Sequence, residues 1–124
     1  MRLKRNRVKT YYLKKRKIRK DAEGSTIEEY GAAVSFQGES WPAGGKVQAE
    51  QYGQRLSYIR NIRVENTYTI NTDDKGNAHY LIDNGVDMTE LDGICLFSGK
   101  EQKPDYKIIS IKPYRFLTLE VERI

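Results

Sequence analysis

The sequence predicts an all-β fold, a small antiparallel β-barrel or sandwich of six to seven short strands, and three observations support that prediction. Apolar residues recur at every second position in several short stretches, which is the period of a half-buried strand. Turn-forming Asp, Asn, Gly and Pro residues separate these stretches at short intervals. Helical patterning is limited to a turn or two, so strands must supply the core.

The most regular stretch is at the C-terminal end, where the sequence predicts a β-hairpin. Its arms are Tyr106–Ile111 and Phe116–Glu122, and Pro113 ends the first arm because it has no N–H to donate to the ladder. The apolar residues that share one face of the second arm are Leu117, Leu119 and Val121. A small β-domain is expected to be built against this hairpin.

The remaining side chains of the hairpin are assigned by the same alternation. Ile109 and Ile111 are expected to supply the matching apolar face of the first arm. Glu120 and Glu122 fall on the opposite face of the second arm, so both carboxylates are predicted to be exposed.

Length and composition indicate one domain with a modest core. The chain has 124 residues, of which 38% are hydrophobic and 31% are charged. It has no apolar run of about 18 residues, so no membrane span is expected, and its basic N-terminus lacks the apolar region of a secretory signal. The single cysteine, Cys95, is predicted to be a buried thiol in a reducing compartment.

The net charge of +5 conceals an asymmetry between the N-terminus and the rest of the chain. Residues 1–20 contain 11 of the 22 Lys and Arg residues and no acid, whereas the other 104 residues contain 11 basic and 17 acidic residues, a net charge of −6. A basic arm suits nucleic acid or an acidic protein surface, and a solubilising tail is the alternative. The arm also contains Tyr11 and Tyr12, which could stack on bases.

The N-terminal part divides into a flexible arm, residues 1–8, and the start of a single β-domain, residues 9–124. From Lys9 the sequence KTYYLKKRKIRK predicts a first strand with a basic outer face, and a basic helix is the competing interpretation. A loop rich in turn formers follows. Within it Ser25–Glu28 fits a capping box, so one helical turn is expected there.

A second strand and a long loop come next. Val34 and Phe36 alternate with polar residues, and Trp41–Pro42 closes the strand. The segment 42–54 is rich in glycine and glutamine and does not fit a packed core, so it is predicted to be a protruding loop. A loop of about twelve residues between strands is usually functional or disordered, and a merely floppy connection stays open. The strand Arg55–Val64 is expected to follow it.

The second half of the chain contains several shorter strand patterns. Thr67–Ile70 and His79–Ile82 are predicted strands, and Asp73–Asn77 is the turn between them. Asn84–Gly85 is a further turn signal. Ile94–Phe97 is predicted to be a short buried strand.

The residues that catalysis or metal binding needs are sparse. His79 is the only histidine, no motif ties it to a serine or cysteine, and it is predicted to be structural. A zinc site needs about four ligands at short spacing, and one cysteine with one histidine cannot supply them. Asp73, Asp74 and Asn77 indicate a β-turn rather than a calcium loop, and Gly44–Lys46 lacks the rest of a phosphate loop. We therefore expect no catalytic residue, metal or cofactor, and a structural or binding role rather than an enzyme.

The order of segments resembles the phage head–tail adaptor family, the head-completion or stopper proteins of long-tailed phages. The likeness covers residues 9–124, and in this family the segment Asn66–Leu81 is typically shorter and the N-terminal arm less basic. The segments that carry the resemblance are Asp21–Gly24 with Glu29–Gly31, Ala43–Gly53 before Ser57–Val64, Met88–Ile94, and the closing strands Asp105–Ile111 and Phe116–Val121.

The resemblance implies a structural virion protein that is assembled in the cytoplasm of a host bacterium. Such proteins form a homo-oligomeric ring, commonly of twelve subunits, below the portal or head–tail adaptor and above the tail terminator or tail tube. The ring retains packaged DNA and provides the tail attachment surface, with no membrane involved. Exposed Glu120, Glu122 and Arg123 would then be candidates for a subunit or tail contact. A small basic β-barrel that binds nucleic acid is the alternative.

Two sets of candidate site residues follow. The segment 42–54 matches the loop that lines or plugs the channel in stopper proteins, and glutamines there could bond a neighbouring loop without placing acid against DNA. The channel candidates are Gly44, Gly45, Lys46, Gln48, Gln51, Tyr52 and Gln54. The candidates for contact of the basic arm with DNA or with the connector are Arg2, Lys4, Arg5, Arg7, Lys14, Lys15, Arg16 and Lys17.

Overall fold

The structure, a computed structural model, describes residues 7–83 and 85–124 and confirms the all-β prediction. Its elements in chain order are β1 (Lys9–Lys20), β2 (Thr26–Pro42), α1 (Gly45–Tyr52), a 3₁₀ helix (Gly53–Tyr58), β3 (Ile59–Val64), β4 (Tyr68–Thr72), β5 (Ala78–Ile82), β6 (Val86–Met88), β7 (Gly93–Cys95), β8 (Tyr106–Pro113) and β9 (Leu117–Arg123). Six strands close an antiparallel barrel in the order β1–β2–β3–β9–β8–β7, and β4–β5–β6 form a separate small sheet. No helix in the described ranges has the length and apolar character to cross a membrane.

The first two strands form a long hairpin, which confirms a strand rather than a basic helix after Lys9. The expected helical turn at Ser25–Glu28 is wrong, because β2 already begins at Thr26. The turn is built by Asp21, whose Oδ1 accepts the N–H groups of Glu23 and Ser25 at 2.9 and 2.8 Å. This turn brings Thr26 opposite Lys20, where β-branched Thr and Ile residues favour cross-strand pairing over a cap.

The end of this hairpin extends past the barrel. β1 pairs with β7 only over Tyr12–Lys14, and β2 pairs with β3 only over Gly38–Pro42. Arg16–Lys20 and Thr26–Tyr30 are paired with each other and, in the part of the chain that the structure describes, with no third strand. We call these two segments the β1–β2 ribbon.

One apolar cluster fills the barrel and continues beneath the small sheet. The barrel contributes Tyr11, Leu13, Phe36, Ile62, Val64, Ile94, Leu96, Tyr106, Ile108, Ile111, Leu117, Leu119 and Val121, and the small sheet contributes Ile82, Val86 and Met88. Cys95 is buried and unpaired, as predicted. The Asp105 carboxylate accepts the N–H groups of Leu96 and Phe97 and turns the chain after β7, so Phe97 is 72% exposed and its predicted burial is wrong.

The C-terminal hairpin is confirmed as β8 and β9, with one error in its faces. A β-bulge between Ile108 and Ser110 shifts the register of β8. As a result Ile108 and Ile111 are the buried isoleucines of the strand, whereas Ile109 is only half-buried. The predicted pairing of Ile109 with Ile111 assumed an unbroken period of two.

The small sheet confirms the predicted strands and turn of this region. The Asp73 N–H donates to the carbonyl of Asn77 at 3.0 Å, and its Oδ1 accepts the N–H groups of Lys75 and Asn77. β6 is an additional strand that the sequence did not indicate. In the second predicted turn Gly85 has φ +92° and donates to the Ile82 carbonyl, and Asn84 lies outside the described residues.

Candidate functional site

The segment predicted to be a protruding loop is folded as a helix against the outer wall of the barrel. Residues 45–52 form α1 and residues 53–58 continue as the 3₁₀ helix, so the loop prediction is wrong, and so is the predicted strand start at Arg55. No residue of α1 is buried, and its Val47 side chain is 73% exposed. Apolar packing therefore contributes little to its position.

Polar contacts with β3 and β9 dock the helix. Nε2 of Gln48 donates to Oδ1 of Asn61 at 2.7 Å and to Oε2 of Glu120 at 2.8 Å. Oε1 of Gln48 accepts the N–H of Gly44 at 2.9 Å, which also ties down the start of the helix. Tyr52, one turn further along α1, contacts the same Glu120 carboxylate. We call Gln48, Tyr52, Asn61, Lys112 and Glu120 the Glu120 network.

Glu120 itself is 1% exposed, which corrects the prediction that its carboxylate is free for a partner. The period of two in β9 does place it outside the barrel, but α1 covers that face. Among the described residues, Oε1 of Glu120 has no well-aligned hydrogen-bond donor, and the Lys112 ammonium lies 3.4 Å from it. Of the three proposed C-terminal contacts, only Arg123 remains exposed, since Glu122 is half-buried beside Arg55.

The network changes the ionisation of its members. Burial alone raises the pKa of Glu120, but hydrogen bonds from Gln48 and Tyr52 and the Lys112 charge outweigh it, so this pKa lies below its usual value. Burial, with the hydrogen bond to Glu120, raises the pKa of Tyr52 to about 12. Glu120 is thus ionised and Tyr52 neutral near neutral pH.

Two glycines flank α1 and an ion pair follows it. Gly45 has φ +83° and Gly53 has φ +56°, the left-handed region in which glycine is favoured. Beyond Gly53, Arg55 makes a bidentate pair with Glu122, both N···O distances being 2.8 Å. Glycine therefore lets the chain change direction with little strain at the first residue of α1 and again just after its last residue.

The predicted channel residues fall into two groups. Gln48 and Tyr52 face the barrel and meet at Glu120, so they bond within the chain rather than to a neighbouring loop. The other five are exposed on the outer side and are Gly44, Gly45, Lys46, Gln51 and Gln54. The structure thus brings together only the two residues four positions apart, which share one side of a helix.

The basic residues of β1 are largely matched by carboxylates or carbonyls. Lys14 Nζ donates to the carbonyl of Gln102, and Lys15 Nζ to Asp92 at 2.5 Å. The remaining ion pairs of residues 7–20 are Arg7–Glu39, Lys15–Asp87, Arg16–Glu28 and Arg19–Glu29. Lys17 has no ion pair with a described acid. Arg2, Lys4 and Arg5 lie outside the described residues. Tyr11 packs on Phe36 in the core, so the suggestion that it stacks on bases is wrong.

Asp92 is the most heavily bonded residue that the sequence did not single out. It is 1% exposed and accepts hydrogen bonds from Lys15 Nζ, the Arg16 N–H at 3.1 Å, and the N–H and hydroxyl of Thr89 at 2.9 and 3.0 Å. It lies in the turn where Leu91 has φ +75°. The pattern Thr-x-x-Asp before a glycine was the available signal for a side chain that caps its own turn.

His79 is placed between two carboxylates beside an open cleft of about 450 Å³. Its Nδ1 lies 3.0 Å from both oxygens of Asp87, and its Nε2 lies 3.0 Å from Oδ2 of Asp73. Both ring nitrogens can donate only in the imidazolium. The hydrogen bonds to Asp73 and then to Asp87 raise the pKa of His79, and the bond from His79 lowers the pKa of Asp73 to about 2.

The His79 titration is therefore expected to have a midpoint above the value of about 6.5 for an unperturbed histidine. Because the folded pKa is raised, the contribution to stability is complete below about pH 6.5 and is lost as the pH rises through the folded pKa. The chain has a single histidine, so the NMR shift of its Hε1 resonance against pH measures the midpoint directly. Asp87→Asn should lower the midpoint and Asp74→Asn, at the exposed turn, should not; a native midpoint at or below 6.5 would contradict the geometry.

Glu120→Gln is expected to loosen α1 by about 1–2 kcal/mol, because an amide cannot pair with Lys112 and presents a single acceptor. In the native chain this contribution is present above the unfolded pKa of about 4.3 and is lost as the pH falls through the lowered folded pKa. Limited digestion with trypsin after Lys46 measures the loosening. Glu50→Gln, on the exposed side of α1, is the matched control, and equal digestion of the two variants would refute the role of the Glu120 network.

A comparison with protein-family models, with curated proteins and with solved structures finds no match to this chain. Within the described residues, no group of three or more His, Cys, Asp and Glu side chains is arranged to hold a metal ion. The candidate site is accordingly defined by its geometry, and it consists of α1 and the Glu120 network on the wall of a closed barrel.

Proposed function

We propose that the chain is a structural subunit of a phage head–tail connector, in which copies form a ring that retains packaged DNA and provides the tail attachment surface. The observation that carries this proposal is the manner in which α1 is docked. A helix without a buried residue lies on a rigid barrel, held by one polar network and flanked by two glycines in the left-handed region. The resemblance to the stopper family implies that this segment corresponds to the channel loop of that family.

Such docking suits a segment that changes position. A hydrogen bond to a charged group contributes only about 1.5–3 kcal/mol net, because water replaces it on release. The bonds of Gln48 and Tyr52 to the ionised Glu120 carboxylate, with the neutral bond from Gln48 to Asn61, therefore hold α1 by several kcal/mol. A partner surface or DNA that offers comparable contacts can compete with the barrel wall for this segment.

The charge of the segment suits a channel that DNA passes through. Residues 42–54 contain one cation, Lys46, and one acid, Glu50. A segment with no net charge neither repels the phosphate backbone nor adheres to it strongly. The barrel supplies the rigid body that a ring subunit needs. Its sheet is closed, so each of its six strands is paired on both sides within the barrel.

The alternative, a nucleic-acid-binding β-barrel, is less well supported by the described residues. Ion pairs with Glu28, Glu29, Glu39 and Asp92 neutralise four of the eight cations in residues 7–20. Removal of residues 1–20 cannot test it, since β1 is a barrel strand and its loss would unfold the chain. Measured DNA affinity with a steep negative dependence on salt, about −0.9 in log K per phosphate contacted, would favour it.

The proposal is tested on DNA-filled phage heads that lack this chain. Purified protein is expected to bind such heads, to prevent loss of their DNA and to restore tail attachment. A variant in which Ala43–Gly53 is replaced by a Gly/Ser linker of the same length is expected to bind equally well and yet to release DNA. Glu50→Gln, which leaves the docking contacts intact, is the matched control and should retain DNA.

The outcomes separate two parts of the proposal. Native protein that fails to bind heads would refute a connector role. Binding together with full DNA retention by the linker variant would refute a role of α1 in closing the channel. Circular dichroism and thermal unfolding of the linker variant verify that its barrel is intact.

A further inference from the structure

The small sheet has an unpaired edge at β4. The strand order β4–β5–β6 leaves one side of β4 without a neighbour in the described chain. On the other side, Asp83 N–H bonds to the Thr67 carbonyl and Asp73 N–H to the Asn77 carbonyl, which fixes the alternation of the ladder. The peptide groups of Tyr68, Ile70 and Thr72 therefore point away from β5.

The composition of β4 is that of a strand prepared for pairing. Tyr68–Thr72 contains β-prone Tyr, Thr and Ile and no charged residue or proline. Its last four residues are exposed, and Ile70 is 49% exposed. Free edges are normally protected by lysine, proline or a bulge, and an edge without such protection is a site for addition of another strand.

A second free edge is on the β1–β2 ribbon. The bond from Asp21 N–H to the Ser25 carbonyl sets the alternation there, so the peptide groups of Ile18 and Lys20 point away from β2. The next group on this side, the Arg16 N–H, is already taken by Asp92. Ile18 is 53% exposed, so each free edge carries one exposed isoleucine.

The unpaired charges beside the two edges differ in sign. Arg16 and Arg19 are paired with Glu28 and Glu29 of the same ribbon, so Lys17 and Lys20 are the cations of residues 16–20 that have no ion pair with a described acid. Residues 65–92, which include the small sheet, contain seven carboxylates and one lysine, and Glu65 and Asp74 on either side of β4 have no ion pair with a described base. Like edges repel and unlike edges attract, which selects pairing between the edges over pairing of either edge with itself.

Within the described chain the two edges do not pair with each other. β5 and β6 lie between β4 and the barrel strand β2, and the Tyr68 hydroxyl donates to the carbonyl of Tyr114 in the turn between β8 and β9. Two strands therefore separate β4 from the barrel wall of its own chain. A second copy supplies the complementary edge.

We propose that β4 of one copy pairs with the Arg16–Lys20 edge of β1 in the neighbouring copy, as a subunit contact of the ring. This inference rests on the ring of the proposed function. The contact joins two different surfaces, so it is heterologous and repeats from copy to copy around a closed ring. It assigns a role to the segment Asn66–Leu81, whose β4 and turn provide one side of the contact.

Site-specific cross-linking tests the contact. Chains with Ile18→Cys and chains with Ile70→Cys, distinguished by tags, are mixed, assembled on DNA-filled heads and oxidised; Cys95 is buried and should remain inert. Disulfides between positions 18 and 70 are expected to exceed those between identical positions. Val47→Cys, at a side chain that is more exposed than either isoleucine, is the control and should not link to position 18.

A substitution provides the second measurement. Ile70→Lys is expected to leave the fold unchanged, because the side chain is half-exposed, and to raise the concentration needed for assembly by about tenfold or more. Lys20→Glu should impair assembly, and Asp74→Lys in the partner chain should restore it. A ring that forms without 18–70 disulfides and tolerates Ile70→Lys would overturn this contact and leave the connector proposal standing. Failure of the native chain to form any ring would overturn both.

Discussion

Asp92→Ala is expected to lower the free energy of unfolding by about 3 kcal/mol, the largest loss we predict for a single polar side chain of this protein. The substitution removes the buried acceptor of two backbone N–H groups, those of Arg16 and Thr89. It also removes the nearest carboxylate from Lys15. Lys15 is about one-third exposed, so water compensates part of the loss and the cost stays below that of a fully buried pair.

Thermal unfolding measures this effect, with an expected fall in Tm of about 10 °C for a chain of this size. The Tm of Asp92→Asn should lie between those of the native chain and Asp92→Ala, since the amide oxygen still accepts one or two of the hydrogen bonds. Asp74→Ala, an exposed residue of the small-sheet turn, is the matched control with an expected change near zero. An Asp92→Ala variant as stable as Asp74→Ala would contradict the structural role of this carboxylate.

Gly93→Ala is expected to cost about 2–3 kcal/mol through steric overlap. A Cβ atom at this position would lie 2.4 Å from Cγ and 2.7 Å from Cβ of Pro104, and 2.9 Å from the Tyr30 ring. These groups are a proline ring and an aromatic ring, which cannot move aside as the end of a flexible side chain can. The backbone of Gly93 is compatible with alanine, so the whole effect is one of space.

Chemical denaturation of a pair of glycine variants isolates this effect. Gly99→Ala is the control, because its nearest neighbour would be 3.7 Å away, and it should change stability by less than about 0.5 kcal/mol. Pro104→Ala in the Gly93→Ala background should recover part of the loss, which a double-mutant cycle quantifies. Equal stabilities of the two alanine variants would show that β7 packs less closely than the structure indicates.

The alternation of apolar residues was sufficient to predict most of the barrel. Leu117, Leu119 and Val121 are buried as the period of two requires, because β9 is regular along its length. The same rule failed for Ile109, since a bulge is a local change of register that depends on the partner strand rather than on the residue itself. The barrel closure could not be derived, because it depends on which strands meet at long range.

The candidate site was only partly predictable, for a physical reason. The segment 42–54 was identified as unusual, but its glycines and glutamines disfavour an isolated helix, and tertiary contacts with Asn61 and Glu120 determine its structure. Glu120 was correctly assigned to the outer face of β9 but wrongly predicted to be exposed. Periodicity indicates which side of a strand a residue faces, but not that α1 covers that side.

Two segments that carry the resemblance also meet in space. Tyr30 of the Glu29–Gly31 segment contacts Gly93 of the Met88–Ile94 segment, and the Tyr30 hydroxyl donates to Glu28 at 2.8 Å. In the sequence the two segments are about 60 residues apart, and no pattern links them. Their contact gives both a common structural reason, the attachment of the β1–β2 ribbon to the turn before β7.

The most direct test of the connector proposal is the number of copies of this chain on a DNA-filled phage head. Quantitative mass spectrometry of tailless heads, purified after addition of the protein, compares its abundance with that of the portal protein. The proposal predicts one copy per portal subunit, commonly twelve per head, and DNA retained only when the chain is present. Heads that bind no copies, or that keep their DNA equally well without the chain, would contradict it.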